Sequence, residues 1–417
     1  MDPDCGPPGV RPTLSGVLTP AQAEQRIFAA VRPLSGEDCA VGQAQGRVLR
    51  GDVRADRDLP PYDRVTLDGY ALRAGALAAG VRVFRVQATQ AAGAEPGALG
   101  PTADACVEIM TGAALPAGAD CVVPYEDAER DGPRVRVAAG AEVGPGNAVH
   151  RRGSDHRAGE VIVPAGTRLT GCEIAVAAAC GCAAVPVASL PRIAIVATGD
   201  ELVEVDAPVG PHQIRRSNDY ALAAALSLAG YVRNDRFLLR DSPAEIGPLL
   251  ARLIADYDVL LVTGGVSKGK FDFLPAELDR QGVKRLFQGV AQRPGKPLWF
   301  GLTPRETPVF ALPGNPVASA VCLRRYVLPA LDRASGQAAA PLRRAVLAAP
   351  AQFRPKLAWF LPVRVTSGPR AELAATPAPT NTSGDFAGLV GTDGFVELPA
   401  ELDEFPAGFV APYYSWT

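Results

Sequence analysis

Three loops rich in glycine and proline contain the residues of this chain most suited to chemistry. They are Thr263–Asp272, Arg293–Pro297 and Leu312–Val317, and each leaves or connects a short apolar run typical of a buried strand. Ligands bind at the carboxyl ends of strands in open α/β sheets, so we expect the loops to share one sheet edge. Backbone N–H groups, fixed cations and a carboxylate would then face a common space, which favours a pocket for a phosphorylated ligand.

The first loop combines groups that suit an anion and a metal ion. Gly264 and Gly265 permit positive φ angles, so successive N–H groups can surround an anion. Ser267 adds a hydroxyl and Lys268 a positive charge, whereas Asp272 would suit a phosphate only across a cation such as hydrated Mg²⁺. The loop is neither a Walker A nor a GxGxxG sequence, and a tight turn is the alternative reading.

The other two loops add cations and a helix start. Arg293 and Lys296 lie on one proline-bounded turn, and the turn Pro313–Pro316 ends a strand and begins a helix. The amides of Gly314 and Asn315 would therefore point at a ligand with the positive end of the helix dipole behind them. Each turn alone is compatible with an ordinary surface turn, and their shared edge is what indicates a site.

Candidate carboxylates also lie outside these loops. Glu201 follows the first strand of the α/β pattern and can reach the same edge, whereas Asp68 and Asp155 belong to an earlier part of the chain. Single exposed acids are usually just solvated. The chain has 3 histidines, which leaves a histidine-based acid–base mechanism little to draw on.

Composition indicates an ordinary globular protein of several domains. The chain has 417 residues, which is more than a single hydrophobic core usually contains. Of these residues, 47% are hydrophobic and 21% are charged. A formal net charge of −2 gives no reason to expect nucleic acid or an anionic membrane as partner. The 8 scattered cysteines suggest free thiols in a reducing compartment, and neither a signal pattern nor a membrane-spanning run is visible, so we expect a cytoplasmic location.

The rhythm of the sequence changes along the chain. Strand–loop–helix alternation over residues 191–335 predicts a central, mostly parallel α/β domain. Short valine-rich runs predict a β-rich domain over 51–149, and strand-like runs predict a small C-terminal β-domain over 340–417. Residues 19–50 and 150–190 would form a helical or linker domain. The expected fold class is therefore multidomain α/β plus β.

The ordered motifs resemble the MoeA family of molybdopterin molybdenumtransferases, which includes the gephyrin E domain. Besides the three loops, the similarity rests on four motifs: Tyr62–Leu72, Ile109–Val123, Arg151–Leu169 and Thr198–Leu202. The resemblance implies an elongated homodimer of four-domain chains with a MogA-like α/β domain. It also implies that molybdopterin-AMP and molybdate are converted, in a Mg²⁺-dependent hydrolysis of the adenylate, to molybdenum cofactor and AMP. The adenylylating enzyme and acceptor molybdoenzymes would be further contacts.

The resemblance also implies roles for individual residues. Glu201 and Asp272 would be the metal and phosphate-chemistry carboxylates, and Asp68 and Asp155 would come from the other subunit of the dimer. The remaining implied ligand contacts are Thr111, Ser217, Arg293, Lys296 and the turn around Asn315.

The chain departs from the family pattern at three positions. Arg216 stands where an aspartate is usual, Lys268 stands where the family has valine, and Gly289 stands where a lysine is common. One hypothesis is that Arg216 and Lys268 assist anion binding while fewer carboxylates hold the metal. A non-catalytic molybdopterin carrier and a gephyrin-like scaffold are the alternative functions, and the sequence does not distinguish molybdate from tungstate.

Overall fold

The computed structural model describes residues 17–240, 242–265, 274–368, 370–382 and 384–417. Three six-stranded sheets dominate this part of the chain, and short two-stranded pairs join them. None of the helices described there has the length and apolar character required to cross a lipid bilayer.

The central sheet has the strand–helix alternation that the sequence predicts. Its first four strands are parallel and the last two are antiparallel additions. Alternate strand residues pack on opposite faces, each covered by helices, which explains their almost continuous apolar runs. In spatial order the strands are Asn234–Leu239, Ile193–Thr198, Val259–Thr263, Pro308–Leu312, Trp299–Leu302 and Lys284–Gln288. The helices are Asn218–Leu228, Pro243–Asp256, Leu274–Arg280, Pro316–Cys322 and Leu328–Ala334.

The carboxyl edge of this sheet collects the loops that the sequence singles out. Thr198, Thr263 and Leu312 are the last residues of three adjacent parallel strands. The turn that ends at Pro297 reaches the same edge by another route, because the following strand is antiparallel and begins with Trp299 beside Ala311. The expected convergence of strand ends is therefore present.

A π-helical turn interrupts the helix that the sequence predicts after the turn Pro313–Pro316. The turn spans Leu323–Val327, between Pro316–Cys322 and Leu328–Ala334. Such turns carry one extra residue per turn and are common at functional sites. Two consecutive arginines lie within it.

The N-terminal part contains the predicted β-rich domain and a more mixed region around it. Residues 19–50 and 150–190 are not only helical, because Gly36–Ala40 pairs antiparallel with Ala184–Ala188. The first of these strands is short and charged, without the β-branched run that marks a strand in sequence. The N-terminal sheet comprises Cys121–Pro124, Gly69–Leu72, Ala105–Ile109, Val83–Gln90, Arg134–Val137 and Ala128–Asp131. Further elements are the helices Pro20–Ala30, Ala74–Ala78 and Gly171–Ala179, the 3-10 turns Val41–Gln43 and Tyr125–Asp127, and the pairs Val53–Arg54 with Val161–Val163 and Arg64–Val65 with Val149–His150.

The C-terminal sheet closes on itself. Gly394–Leu398 pairs with both Ala358–Ser367 and Val410–Ser415, which leaves few free strand edges. A two-residue strand from the central domain, Gln292–Arg293, joins this sheet beside residues 358–359. Its other members are Leu373–Pro377 and Arg344–Leu347, and the smaller elements nearby are the 3-10 turn Phe386–Leu389 and the pair Ala351–Gln352 with Glu404–Phe405.

A buried arginine connects three parts of the molecule. Arg325, whose side chain is 5% exposed, donates from Nη1 to Glu24 Oε1 at 2.6 Å and from Nε to Glu397 Oε2 at 2.9 Å. Tyr414 donates a further hydrogen bond to Glu397 Oε2 at 3.0 Å. These contacts join the N-terminal helix, the π-helical turn and the C-terminal sheet.

We expect Arg325→Met to lower the apparent thermal unfolding midpoint by about 5 °C or more, because removing one partner of a buried ion pair costs about 3–5 kcal/mol. Differential scanning calorimetry measures the change. Arg344→Met is the matched control, since the Arg344 side chain is exposed and has no hydrogen bond or ion pair within the described ranges. Equal midpoints for both variants would contradict the structural role of Arg325.

Candidate functional site

The carboxyl edge of the central sheet forms a cleft of about 1020 Å³. Each of the three adjacent strand ends contributes to its lining, as the sequence predicts for a shared site. The sequence-predicted residues that line it are Glu201, Ser217, Gly264, Gly265, Pro313, Gly314, Asn315 and Pro316.

Glycine is required where two strand ends meet. Gly264 has a φ of +97°, and a Cβ there would lie 2.7 Å from both the carbonyl oxygen and the hydroxyl of Thr198. Gly265 follows with a φ of +64°. The Gly264 amide donates to the carbonyl of Leu312 at 3.2 Å, so this N–H serves the fold rather than a ligand. The turn therefore presents its backbone to the cleft and has no room for a side chain at Gly264.

Asn218, which sequence reasoning missed, holds two strand ends together. Its Nδ2 donates to Thr263 Oγ1 at 2.9 Å and to the carbonyl of Gly314 at 2.7 Å. The position after an N-cap serine was the only signal in the sequence. Ser217 lies at the N-cap of this helix, but its side chain makes no capping hydrogen bond. The half-buried residue lines the cleft, so its hydroxyl is available to a ligand there.

Arg216 has a different environment from that of an anion-binding cation. Its Nε and Nη2 donate to Asp219 Oδ2 at 3.1 and 2.6 Å, and its Nη1 donates to Glu204 Oε1 at 2.7 Å. Arg216 is 6% exposed and Asp219 is fully buried. Two carboxylates thus compensate the guanidinium, and the hypothesis that Arg216 assists anion binding is not supported by this geometry. The group instead ties the segment between Glu201 and Ser217 to the start of the following helix.

The donor set of the cleft fits a magnesium ion. Mg²⁺ in proteins is held by one or two carboxylates, with water and substrate phosphate completing the octahedron. Glu201 presents an exposed carboxylate, and the buried Thr198 hydroxyl has no hydrogen-bond partner in the described part of the chain. No group of three or more His, Cys, Asp or Glu side chains converges among the described residues, so this is not a dedicated protein cage. Ser267, Lys268 and Asp272 lie outside the described residues.

Arg293 lines a second cavity, of about 340 Å³, and not the cleft. Arg293 is placed there because its short strand joins the C-terminal sheet, and its guanidinium lies 6.0 Å from the ring centroid of Phe353. Arg354 lines the same cavity, and the guanidinium of neither arginine has an ion pair or hydrogen bond within the described ranges. The expectation that all three loops share one pocket is therefore wrong for Arg293. Lys296 is exposed and lines neither cavity, and from this loop only Pro297 reaches the cleft.

The loop of the C-terminal domain at residues 379–386 borders both cavities. Thr380 and Thr382 line the second cavity, whereas Gly384 and Phe386 line the cleft. The C-terminal domain therefore contributes to both sites, which the sequence did not indicate.

Asp68, Thr111 and Asp155 line neither cavity of this chain. Asp68 Oδ1 accepts from the Thr111 amide at 2.6 Å and from its hydroxyl at 2.8 Å, and these bonds hold the pKa of Asp68 below its ordinary value. Asp155 Oδ1 lies 2.8 Å from His150 Nε2. Asp68 and Thr111 thus form a local pair, and a single chain does not bring them to the cleft.

Taken together, the fold and the site define a multidomain protein with a cleft at the sheet edge of its α/β domain, next to a second cavity lined by two arginines. Matches to three family models cover most of the chain: the MoeA N-terminal region (domain I and II) over residues 18–181, a probable molybdopterin binding domain over 194–333, and the MoeA C-terminal region (domain IV) over 344–416. The chain belongs to the MoeA family.

Individual relatives agree with the family models. A protein of Synechocystis sp. named molybdopterin molybdenumtransferase is 40% identical over 377 residues, which cover 90% of this chain and 94% of that protein. Molybdopterin molybdenumtransferase 2 of Mycobacterium tuberculosis is 33% identical, covering 93% of this chain and 97% of that one. The crystal structure of a molybdopterin biosynthesis MoeA protein from Pyrococcus horikoshii superposes with a TM-score of 0.77 at 28% identity, covering 96% of this chain and 99% of that one.

We expect Arg216→Met to loosen the segment that carries Glu201, because it removes the closer cation of the buried Asp219 and leaves this carboxylate only Arg236, whose Nη1 lies 3.5 Å from Asp219 Oδ2. Amide hydrogen exchange over residues 199–216 should become roughly tenfold faster. Arg215→Met serves as control, since Arg215 is exposed and its guanidinium makes one long bond of 3.4 Å, to the carbonyl of Ala207. Unchanged exchange in Arg216→Met would show that the ion pair does not order this segment.

Proposed function

We propose that this chain is a molybdopterin molybdenumtransferase, which inserts molybdenum from molybdate into adenylylated molybdopterin and releases AMP. The observation that carries the proposal is the pairing of a cleft suited to a phosphoryl group with a neighbouring cavity suited to an oxyanion. The names of the relatives support the same activity.

The cleft supplies the contacts that a phosphoryl group requires. Gly265 and the helix start at Asn315 line the cleft, and Ser217 lines it beside them. A helix N-terminus favours negative charge. The adenylate would lie along this edge, with its phosphate facing the turn.

The reaction in the cleft is hydrolysis of a phosphoric anhydride. A water oxygen attacks phosphorus and the bridging P–O bond breaks, with the water protons passing to the product phosphates and solvent. The products are AMP and the molybdenum-loaded molybdopterin, which keeps its own terminal phosphate. Glu201 and Asp272 would hold Mg²⁺, whose charge offsets that of the phosphoryl oxygens when bound. Glu201 also orders water at the cleft through its exposed carboxylate.

The second cavity suits molybdate, a tetrahedral dianion. Arg293 and Arg354 present two guanidinium groups without partner carboxylates in the described part of the chain, and Thr380 and Thr382 add hydroxyls. Charge-assisted hydrogen bonds from such groups to oxyanions are stronger than neutral ones. Lys296, on the turn between the cavities, would assist as the anion moves toward the cleft.

The proposal includes a homodimer. Asp68, Thr111 and Asp155 of the partner subunit would complete each cleft, since these residues do not line it within one chain. It further includes a division into residues 19–50 with 150–190, 51–149, 191–335 and 340–417, a cytoplasmic location and contacts with the adenylylating enzyme and acceptor molybdoenzymes. The cysteines of the described residues are free, which suits a reducing compartment.

The activity is tested by following AMP release from molybdopterin-AMP with molybdate and Mg²⁺. We expect Glu201→Gln to reduce the rate by about 100-fold or more, because it removes a metal-holding carboxylate. The exposed Glu245→Gln on helix Pro243–Asp256 should match the parent. If the parent protein releases no more AMP than the enzyme-free control, the proposed activity is contradicted, and the chain would be a binding protein rather than an enzyme.

Mixing two inactive variants tests whether residues of both subunits complete each cleft. Asp68→Asn and Glu201→Gln chains, unfolded and refolded together in equal amounts, should regain about a quarter of parental activity, because half the dimers then contain one intact cleft. Each variant refolded alone provides the background. A mixture no more active than that background, despite dimers by light scattering, would rule out sharing of these two residues.

A further inference from the structure

His150 lies between a cation and a carboxylate, one at each ring nitrogen. Its Nδ1 lies 3.2 Å from Arg64 Nη2, and its Nε2 lies 2.8 Å from Asp155 Oδ1. Arg64 and His150 are direct cross-strand partners in a short antiparallel pair. Side chains opposite each other in such a pair are close neighbours, so the backbone holds the ring beside the guanidinium. The imidazole therefore connects this strand pair to the loop that carries Asp155.

The hydrogen bonds of His150 determine which ring nitrogen carries the proton. A guanidinium can only donate, so the Arg64 bond requires an Nδ1 without a proton. The proton of the neutral ring is then on Nε2, which donates a hydrogen bond to the Asp155 carboxylate. The neutral ring in this tautomer satisfies both partners. Asp155 thus receives a directed hydrogen bond without losing its negative charge.

Two aspartates that contact the same loop are paired with arginines instead. Arg151 donates to Asp63 at 2.8 Å, and Arg152 donates to Asp58 at 2.9 Å. Backbone hydrogen bonds together with these arginines hold the pKa of both carboxyls below the ordinary value. Asp155 differs, because its partner is a neutral ring and its side chain is 50% exposed. Its negative charge therefore stays accessible to a ligand, whereas the other two aspartates fasten the loop.

We propose that His150 is a positioning residue, which orients the Asp155 carboxylate for a ligand in the cleft of the partner subunit. The inference rests on the proposed function, in which Asp155 of one chain completes the cleft of the other. Within the described ranges, the bond from His150 is the single hydrogen bond of the Asp155 side chain. One carboxylate oxygen is thus oriented by the ring, and Oδ2 can accept from a ligand or from water. An acid that reaches across an interface needs a fixed direction, because a misplacement of about 1 Å can cost about 100-fold in rate.

Substitution of His150 separates orientation from packing. We expect His150→Leu to lower kcat for AMP release by about tenfold and to change KM less than about twofold, because Asp155 is present but no longer oriented. His150→Gln should keep kcat within about threefold of the parent, since its amide nitrogen can replace Nε2 as the donor. His156→Leu is the matched control, because this histidine of the same loop lies 3.4 Å from Glu160 and makes no bond to Asp155. Equal kcat values for His150→Leu and the parent, or no recovery in His150→Gln, would overturn the proposal.

Mixed dimers show on which cleft His150 acts. His150→Leu chains refolded with equal amounts of Glu201→Gln chains should reach about a quarter of parental activity, because half the dimers then contain one intact cleft. His150→Leu chains refolded with Asp68→Asn chains should stay near about a twentieth, since both defects lie in the half that each chain supplies to its partner. A merely structural defect would damage the cleft of the His150→Leu chain itself and would keep the first mixture low. The reverse result, recovery with Asp68→Asn chains alone, would place His150 at its own chain's cleft and overturn the proposal.

The mixture of Asp68→Asn with Glu201→Gln chains separates this inference from the proposed function. If that mixture recovers activity and the mixture of His150→Leu with Glu201→Gln chains does not, the role of His150 alone is contradicted. If neither mixture recovers, the shared clefts of the proposed function are contradicted as well.

Nitrogen NMR of the imidazole rings tests the hydrogen bond without a substitution at His150. The chain has 3 histidines, so the spectrum contains few ring signals. We expect the His150 ring of the parent to carry its proton on Nε2 at neutral pH. A proton on Nδ1, or an even mixture of the two tautomers, would overturn the proposal even if His150→Leu chains failed to fold.

Discussion

The position of the C-terminal domain on the α/β domain depends on a buried cation. The guanidinium of Arg325 can only donate hydrogen bonds, and its buried positive charge requires negatively charged partners. Glu24 and Glu397, which belong to different parts of the chain, are those partners. The short strand Gln292–Arg293 adds a backbone connection between the same two domains. Residues of the C-terminal loop 379–386 border every cavity discussed above. The shape of the site therefore depends on the position in which the Arg325 ion pairs and the short strand hold the C-terminal domain.

Charge in the site is divided between two neighbouring spaces. The cleft at the sheet edge offers backbone, a hydroxyl and a carboxylate, whereas the cavity that contains Arg293 and Arg354 offers uncompensated positive charge. Arg216 does not alter this division, since Asp219 and Glu204 neutralise it. If the cleft holds the phosphoryl group and the second cavity the oxyanion, as proposed, the two ligands do not compete for the same donors.

Local patterns in the sequence were sufficient to predict the sheet edge, because strand periodicity and the glycine turns are encoded over a few residues. The structure has Gly264, Asn315 and Glu201 at one cleft as expected. The location of Arg293 could not be read in this way, since it depends on pairing with residues more than sixty positions away. The hypothesis that Arg216 assists anion binding is not supported, because its guanidinium pairs with Asp219 and Glu204. The i,i+3 spacing of Arg216 and Asp219, typical of a helix-start ion pair, is the sequence signal for this contact. The roles of Asp68 and Asp155 remain predictions.

The π-helical turn at Leu323–Val327 has a consequence for how this protein can change over evolution. The two adjacent arginines of this turn contact different parts of the molecule. Arg325 makes the interdomain ion pairs, and Arg324 lines the cavity beside helix Asn218–Leu228. Deleting one residue from the turn would restore an ordinary α-helix with its hydrogen bonds intact. Every side chain on one side of the deletion would nevertheless rotate by about 100° relative to the other, because an α-helix has about 3.6 residues per turn. The segment is therefore intolerant of any change in length.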